Sequence, residues 1–255
     1  MYDFSIQKEM LRAALQLLEE KDLLTHAALG GGTALSAYYW GHRYSTDIDM
    51  FIHSKENIAK ALRQNQWSSD FLKRIQALGY TNGYKSNPIY TEIAIDNACK
   101  IQYFSVVDRT KEPYTKMKLW DMDVAIESIE EIIAKKIYFR ASVGNARDLF
   151  DIALAVHKKP HILNEINLPF KSIETLFETV TSIKNDADLR EEYGNEIDQM
   201  NPHGNYKFIA EYTVPYLHLF LESYCAAHHT GIVLEDEDCK EIEMYAYEAL
   251  GDTNA

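Results

Sequence analysis

Apolar residues recur at helical spacing over residues 5–21, where Ile6, Met10, Ala13, Ala14, Leu17 and Leu18 make one stripe. An apolar run over 26–29 then meets Gly30-Gly31-Gly32, which predicts a short strand ending in a glycine turn. Thr33 can cap a second helix through Tyr39, Gly41 breaks it, and Asp47 to Ile52 is mostly apolar, as a strand requires. Residues 55–65 and 68–78 have helical patterning. Tyr90–Ile95 and Lys100–Val106 predict two strands of a hairpin around the polar turn Asp96-Asn97-Ala98-Cys99. Residues 127–143 return to helical period (Ile129, Ile132, Ile133, Ile137), as do 147–157, with Gly144-Asn145 as stop and restart. Further helices are expected near 171–184, 187–199, 207–227 and 239–249. The pattern predicts an α+β fold, a small mixed sheet flanked by helices with a helical C-terminal part.

Charge adds a division that periodicity does not. The net charge is −13, yet residues 161–255 hold 5 Lys+Arg against 19 Asp+Glu, so the acidity belongs to the C-terminal third. With the polar turn His157-Lys158-Lys159-Pro160-His161, this sets the expected boundary: domains 1–160 and 161–255. A near-neutral first part can still offer phosphates a local basic surface. Arg109, Lys111, Lys116 and Lys118, interleaved with Tyr114 and near Trp120, form a basic-aromatic stretch, read here as a solvated loop or an RNA contact. No apolar run reaches the length of a membrane span and the start is unlike a signal peptide, so a cytoplasmic protein without membrane contact is expected. Three dispersed cysteines, Cys99, Cys225 and Cys239, suggest neither disulfides nor a thiolate metal site.

The densest chemistry is Gly30-Gly31-Gly32-Thr33 followed by Arg43-Tyr44-Ser45-Thr46-Asp47-Ile48-Asp49. Side chains two apart on a strand share a face, so Asp47 and Asp49 present two carboxylates together, a hard-oxygen set suited to Mg²⁺ or Mn²⁺. A glycine turn entering a helix brings backbone N–H groups to phosphate oxygens, Thr33 adds a hydroxyl, and Arg43 adds a permanent charge. Either half alone is ordinary. Glycine runs are usually turns, and an isolated D-x-D usually a solvated edge; the compound pattern is what points to a nucleotide and its metal.

The residues Gly31-Gly32-Thr33 and Asp47-Ile48-Asp49 resemble the motif of the DNA polymerase β-like nucleotidyltransferase superfamily. The longer text, including Ser45, is similar to the AbiEii/AbiGii toxin family of type IV toxin–antitoxin and abortive-infection systems. A second block agrees: Lys136 on a helix, then Arg147-Asp148-Leu149-Phe150-Asp151. The resemblance covers roughly residues 25–155. It implies a polymerase β-like core in which Asp47 and Asp49 hold the metals. Gly31, Gly32, Thr33, Arg43 and Ser45 would bind the NTP, Lys136 would neutralise phosphate, and Asp148 would act at or organise the site. It also implies an RNA or tRNA acceptor and a cognate antitoxin. The residues themselves leave Lys136, Arg140, Asp148 and Asp151 equally fit for an interhelical salt-bridge network.

One position departs from the superfamily pattern. The strand that often carries a third carboxylate has Gln102 there, and Glu92, on the preceding strand, reads as an exposed edge residue. Small-molecule and protein nucleotidyltransferases, or a silent nucleotide-binding module, are the alternatives to an RNA-directed enzyme.

Overall fold

The computed structural model describes residues 2–55, 57–95 and 99–251, so the expected turn at Asp96–Ala98 lies outside the described residues. Two compact units divide between Ser128 and Ile129. The charge shift near residue 160 therefore falls inside the second unit.

The first unit begins with α1 (Ser5–Glu20), continues through β1 (Ala27–Leu29) and α2 (Gly31–Thr33), and the helix goes on as π-type turns over Ala34–Trp40. Then come β2 (Ile48–Ile52), α3 (Ile58–Ala61), α4 (Ser69–Ala77), β3 (Gly83–Asn87), β4 (Tyr90–Ala94), β5 (Lys100–Ser105), β6 (Tyr114–Leu119) and β7 (Met122–Glu127). All seven strands form one sheet in the order β3-β4-β5-β2-β1-β7-β6. Among the described residues only β2 with β5 and β1 with β7 are parallel. Alternation divides the faces. Ile48, Met50, Ile52, Ile93, Ile101 and Tyr103 are fully buried on the face toward α1, whose Met10, Ala13, Ala14, Leu17 and Leu18 are buried too.

The stripe on α1 is not quite the expected one. Ile6 is 49% exposed and Gln7 fully buried. Gln7 donates through Nε2 to the Thr46 carbonyl (3.3 Å) and accepts from the Tyr44 hydroxyl (3.2 Å), so α1 grips the loop leading into β2. Three further expectations are corrected. Thr33 is no cap: the helix starts from Gly30, and Thr33 lies inside its first turn. Within the basic-aromatic stretch, Tyr114, Lys116 and Lys118 lie on β6 of a β6–β7 hairpin with Trp120 in its turn at φ 55°, while Arg109 and Lys111 lie in the loop before it. The 127–143 helix begins two residues later, because Glu127 ends β7.

The second unit is helical: α5 (Ile129–Arg140), α6 (Ala146–Lys158), α7 (Ile162–Glu165), α8 (Phe170–Asn185), α9 (Ala187–Met200), α10 (Lys207–Glu211), α11 (Thr213–His229) and α12 (Asp236–Gly251). Between α5 and α6, Gly144 has φ +67° and a Cβ there would strike Thr179, while the Asn145 side chain caps α6 at the Asp148 N–H (2.9 Å). The stop and restart seen in the sequence is thus built. The mixed sheet with its helices is the expected α+β architecture. Among the described residues no helix is long and apolar enough to cross a membrane, and the three cysteines are buried and outside any disulfide.

Candidate active site

The glycine turn and the aspartates meet at the β1–β2 pair. The Gly30 N–H donates to the Asp49 carbonyl (2.9 Å), so the turn leaves β1 beside Asp49. Gly31 has φ +62°, a conformation in which a side chain is strained, and a Cβ built on it would collide with the Asp49 carboxylate. A Cβ on Gly32 would collide with the Arg43 guanidinium and stand 3.0 Å from Ser45 Oγ. One on Gly30 would strike the Glu127 carboxylate and the Phe51 ring. At each glycine a neighbouring side chain occupies the place a Cβ would take.

The loop between helix and β2 is pinned by the same residues. Thr33 is fully buried, and its hydroxyl reaches both the Asp47 carbonyl (2.5 Å) and Ser45 Oγ (2.9 Å). Ser36 donates to the Arg43 carbonyl, and Arg43, only 3% exposed, donates to the Tyr44 carbonyl (3.1 Å). Asp47 sits one residue before β2 and accepts the Lys100 N–H on Oδ1 (3.0 Å), which ties it to the start of β5. Gly31, Gly32, Thr33, Arg43, Ser45, Asp47 and Asp49 are thus one local arrangement.

One acidic neighbour differs from expectation. Glu92 is not an exposed edge residue: it is 6% exposed, with Tyr90 Oη at 2.5 Å, Gln102 Nε2 at 3.0 Å, Lys85 Nζ at 3.3 Å and Lys100 Nζ at 3.4 Å. Burial alone would raise its carboxyl pKa, but the Tyr90 hydroxyl and the two ammonium groups outweigh it and hold the group below the usual carboxylate range. Burial, with the Glu92 carboxylate beside it, pushes the Tyr90 hydroxyl far up. Gln102 pairs with Asp49 across the parallel β2–β5 ladder, so an amide does occupy the place where a third strand acid was sought.

Glu127 is the residue that sequence reasoning missed. It is fully buried at the end of β7, its carboxylate lies against Gly30, and His53 Nε2 stands 3.1 Å from it with His53 Nδ1 at 2.6 Å from Asp108. The signal was the alternation of Met122–Glu127, whose buried Val124 and Ile126 belong to a strand, with an acid next in line.

Lys136 and Asp148 belong to the second unit and form their own cluster. Lys136 on α5 reaches Asp148 and, at 3.0 Å, Asp151, both on α6; Arg140 is 3.2 Å from Asp148. Burial raises the Asp148 pKa, but Lys136 and Arg140 more than reverse this and hold it at about 2, from 3.8. A carboxyl depressed in the folded state adds stability above its unfolded pKa and loses it as pH falls through the folded one. Asp148 is therefore expected to contribute roughly 2 kcal/mol above pH 4, lost as pH falls toward 2. Urea midpoints measured from pH 5 to pH 2 should show this slope reduced in Asp148→Asn; equal slopes would refute it.

The family model described as "Nucleotidyl transferase AbiEii toxin, Type IV TA system" matches residues 13–215. Among solved structures, the chain is similar to JHP933 from Helicobacter pylori, at 16% identity and TM-score 0.46, over 88% of this chain and 95% of that one. It is also similar to a Helicobacter pylori protein described as a candidate nucleotidyltransferase, at 17% identity and TM-score 0.48, over 87% and 96%. A third is the lincosamide antibiotic adenylyltransferase LnuA bound to lincomycin, at 14% identity and TM-score 0.36, over 57% and 92%. No curated protein matches the sequence. The family match takes in the glycine turn, the aspartates and the α5–α6 block together: the chain belongs to the AbiEii nucleotidyltransferase toxin family and is a nucleotidyltransferase.

Proposed function

We propose that the protein transfers a nucleoside monophosphate from an NTP to a hydroxyl of an RNA, tRNA among the candidates, using Mg²⁺ or Mn²⁺ held by Asp47 and Asp49. The observation that carries this reading is the contact of Gly31 with the Asp49 carboxylate, which puts a phosphate-type backbone turn and a hard-oxygen ligand in one place. The donor set fits a divalent cation that also binds phosphates. Such a cation supplies Lewis-acid stabilisation of the leaving pyrophosphate and lowers the pKa of the attacking hydroxyl.

The chain's own residues bind and orient. Gly31, Gly32 and Ser45 offer N–H and hydroxyl donors to the triphosphate, and Arg43 balances its charge from beneath the turn. Thr33 holds Asp47 in place through its carbonyl. Lys136 and Asp148 act on phosphate charge and on the organisation of the α5–α6 block. The type IV family points to an antitoxin as partner, and cytoplasmic action on cellular RNA suits the reading.

The test is direct. Purified protein with Mg²⁺ or Mn²⁺, each α-labelled NTP in turn and total RNA is expected to label an RNA-sized band with one NTP. Label in a small hydroxyl compound or in protein instead would overturn the RNA acceptor, and no transfer to any of the three would overturn the catalytic reading.

A further inference from the structure

Four strands line up one polar row beside the aspartates. Register pairs Lys85 on β3 with Glu92 on β4, Glu92 with Gln102 on β5, and Gln102 with Asp49 on β2. The next row on the same face is Tyr90, Phe104 and Phe51. Phe51 and Phe104 stack at 5.1 Å and 17°, and the Tyr90 ring lies 5.1 Å from Phe104. Lys100, two residues before Gln102, shares the face, and its backbone is the group that holds Asp47.

The buried Glu92 carboxylate tethers two ammonium groups, which offset the carboxylates of Glu92 and Asp49 in this row. Both stay reachable, the Lys85 side chain 76% and the Lys100 side chain 40% exposed. Position assigns the side of the reaction. The glycine turn leaves β1, on one flank of β2, whereas this shelf lies on β5 and β4, the other flank. A nucleotide on the turn leaves the shelf for what attacks it.

We propose that this shelf binds the acceptor: the single-stranded end of an RNA, with Lys85 and Lys100 on its phosphodiesters and a base stacked on Tyr90 and Phe104. Exposed ammonium groups beside aromatic rings fit the phosphodiesters and bases of a polynucleotide. The inference rests on the RNA reading above and names where that substrate lies.

Binding of a fluorescent single-stranded oligoribonucleotide is measured by anisotropy in EDTA over a salt series, with melting temperatures as the folding control. Lys85→Gln and Lys100→Gln are each expected to flatten the slope of log Kd against log salt by about 0.7, and Phe104→Ala to weaken binding about tenfold. NTP binding, read as the melting shift with nucleotide and Mg²⁺, should stay at the wild-type value in Lys85→Gln. Lys85 is mostly exposed, so its variant alone carries the test should the others not fold. Wild-type slope in the folded lysine variants, with RNA labelled normally, would overturn the shelf and leave the RNA reading standing. A wild-type protein that neither binds nor labels RNA would overturn both.

Discussion

Asp49→Asn is expected to lower nucleotidyl transfer about 10³-fold or more while leaving the melting temperature equal to, or above, that of the wild type. The activity loss follows from replacing a carboxylate ligand by a neutral amide where phosphate charge must be offset, a change of several kcal/mol in transition-state stabilisation. The preserved fold follows from the surroundings. The Asp49 backbone makes the β2 hydrogen bonds, including the one from Gly30, and the amide is nearly isosteric with the carboxylate that rests on Gly31. Removing one charge from the pair on this face also relieves repulsion. The measurement is single-turnover transfer of labelled NMP beside a thermal scan. Full activity in the variant would remove Asp49 from the site, and a fall in melting temperature would assign it a structural role. Asp47→Asn should behave differently in degree, because Asn Oδ1 can keep the Lys100 N–H bond and hold β5.

The glycine turn and the aspartates were legible because each is local. A run of glycines and two acids two residues apart within an apolar strand need no tertiary knowledge, and Gly144-Asn145 carried its helix break in the same way. What stayed hidden was decided elsewhere in the chain. Glu92 alternates like a solvent-facing residue; Tyr90, Gln102 and Lys85 from neighbouring positions on three strands bury it. β6 reads as a loop because Thr115, Lys116, Met117 and Lys118 are all exposed, the composition that protects an edge strand from pairing with another chain. Glu127 ends that hairpin and faces Gly30, a partner far away in sequence. Gln7 displaced Ile6 from the core face of α1 because the loop at Tyr44 and Thr46 has polar groups to satisfy. No pattern on α1 itself records that demand.

The largest effect on stability is expected from Lys136→Met. The Lys136 side chain is 10% exposed and its ammonium lies between Asp148 and Asp151, of which Asp151 is fully buried. Methionine keeps the length of the side chain, so the change isolates the charge. Removing one partner of a buried ion pair leaves the other charge uncompensated and costs about 3–5 kcal/mol. Here two carboxylates lose a shared cation and repel each other, while Arg140 stays 3.2 Å from Asp148. A fall of about 10 °C in melting temperature is expected at this chain length. Adding Asp151→Asn to Lys136→Met should restore part of the loss, since the deeper of the two carboxylates is then neutral, and the double-mutant cycle gives the coupling. A melting temperature unchanged by Lys136→Met would mean that the cluster contributes no net stability. If the double variant regains stability but not transfer, Lys136 serves both ends: it closes α5 onto α6 at rest, and it supplies the charge that the reaction needs.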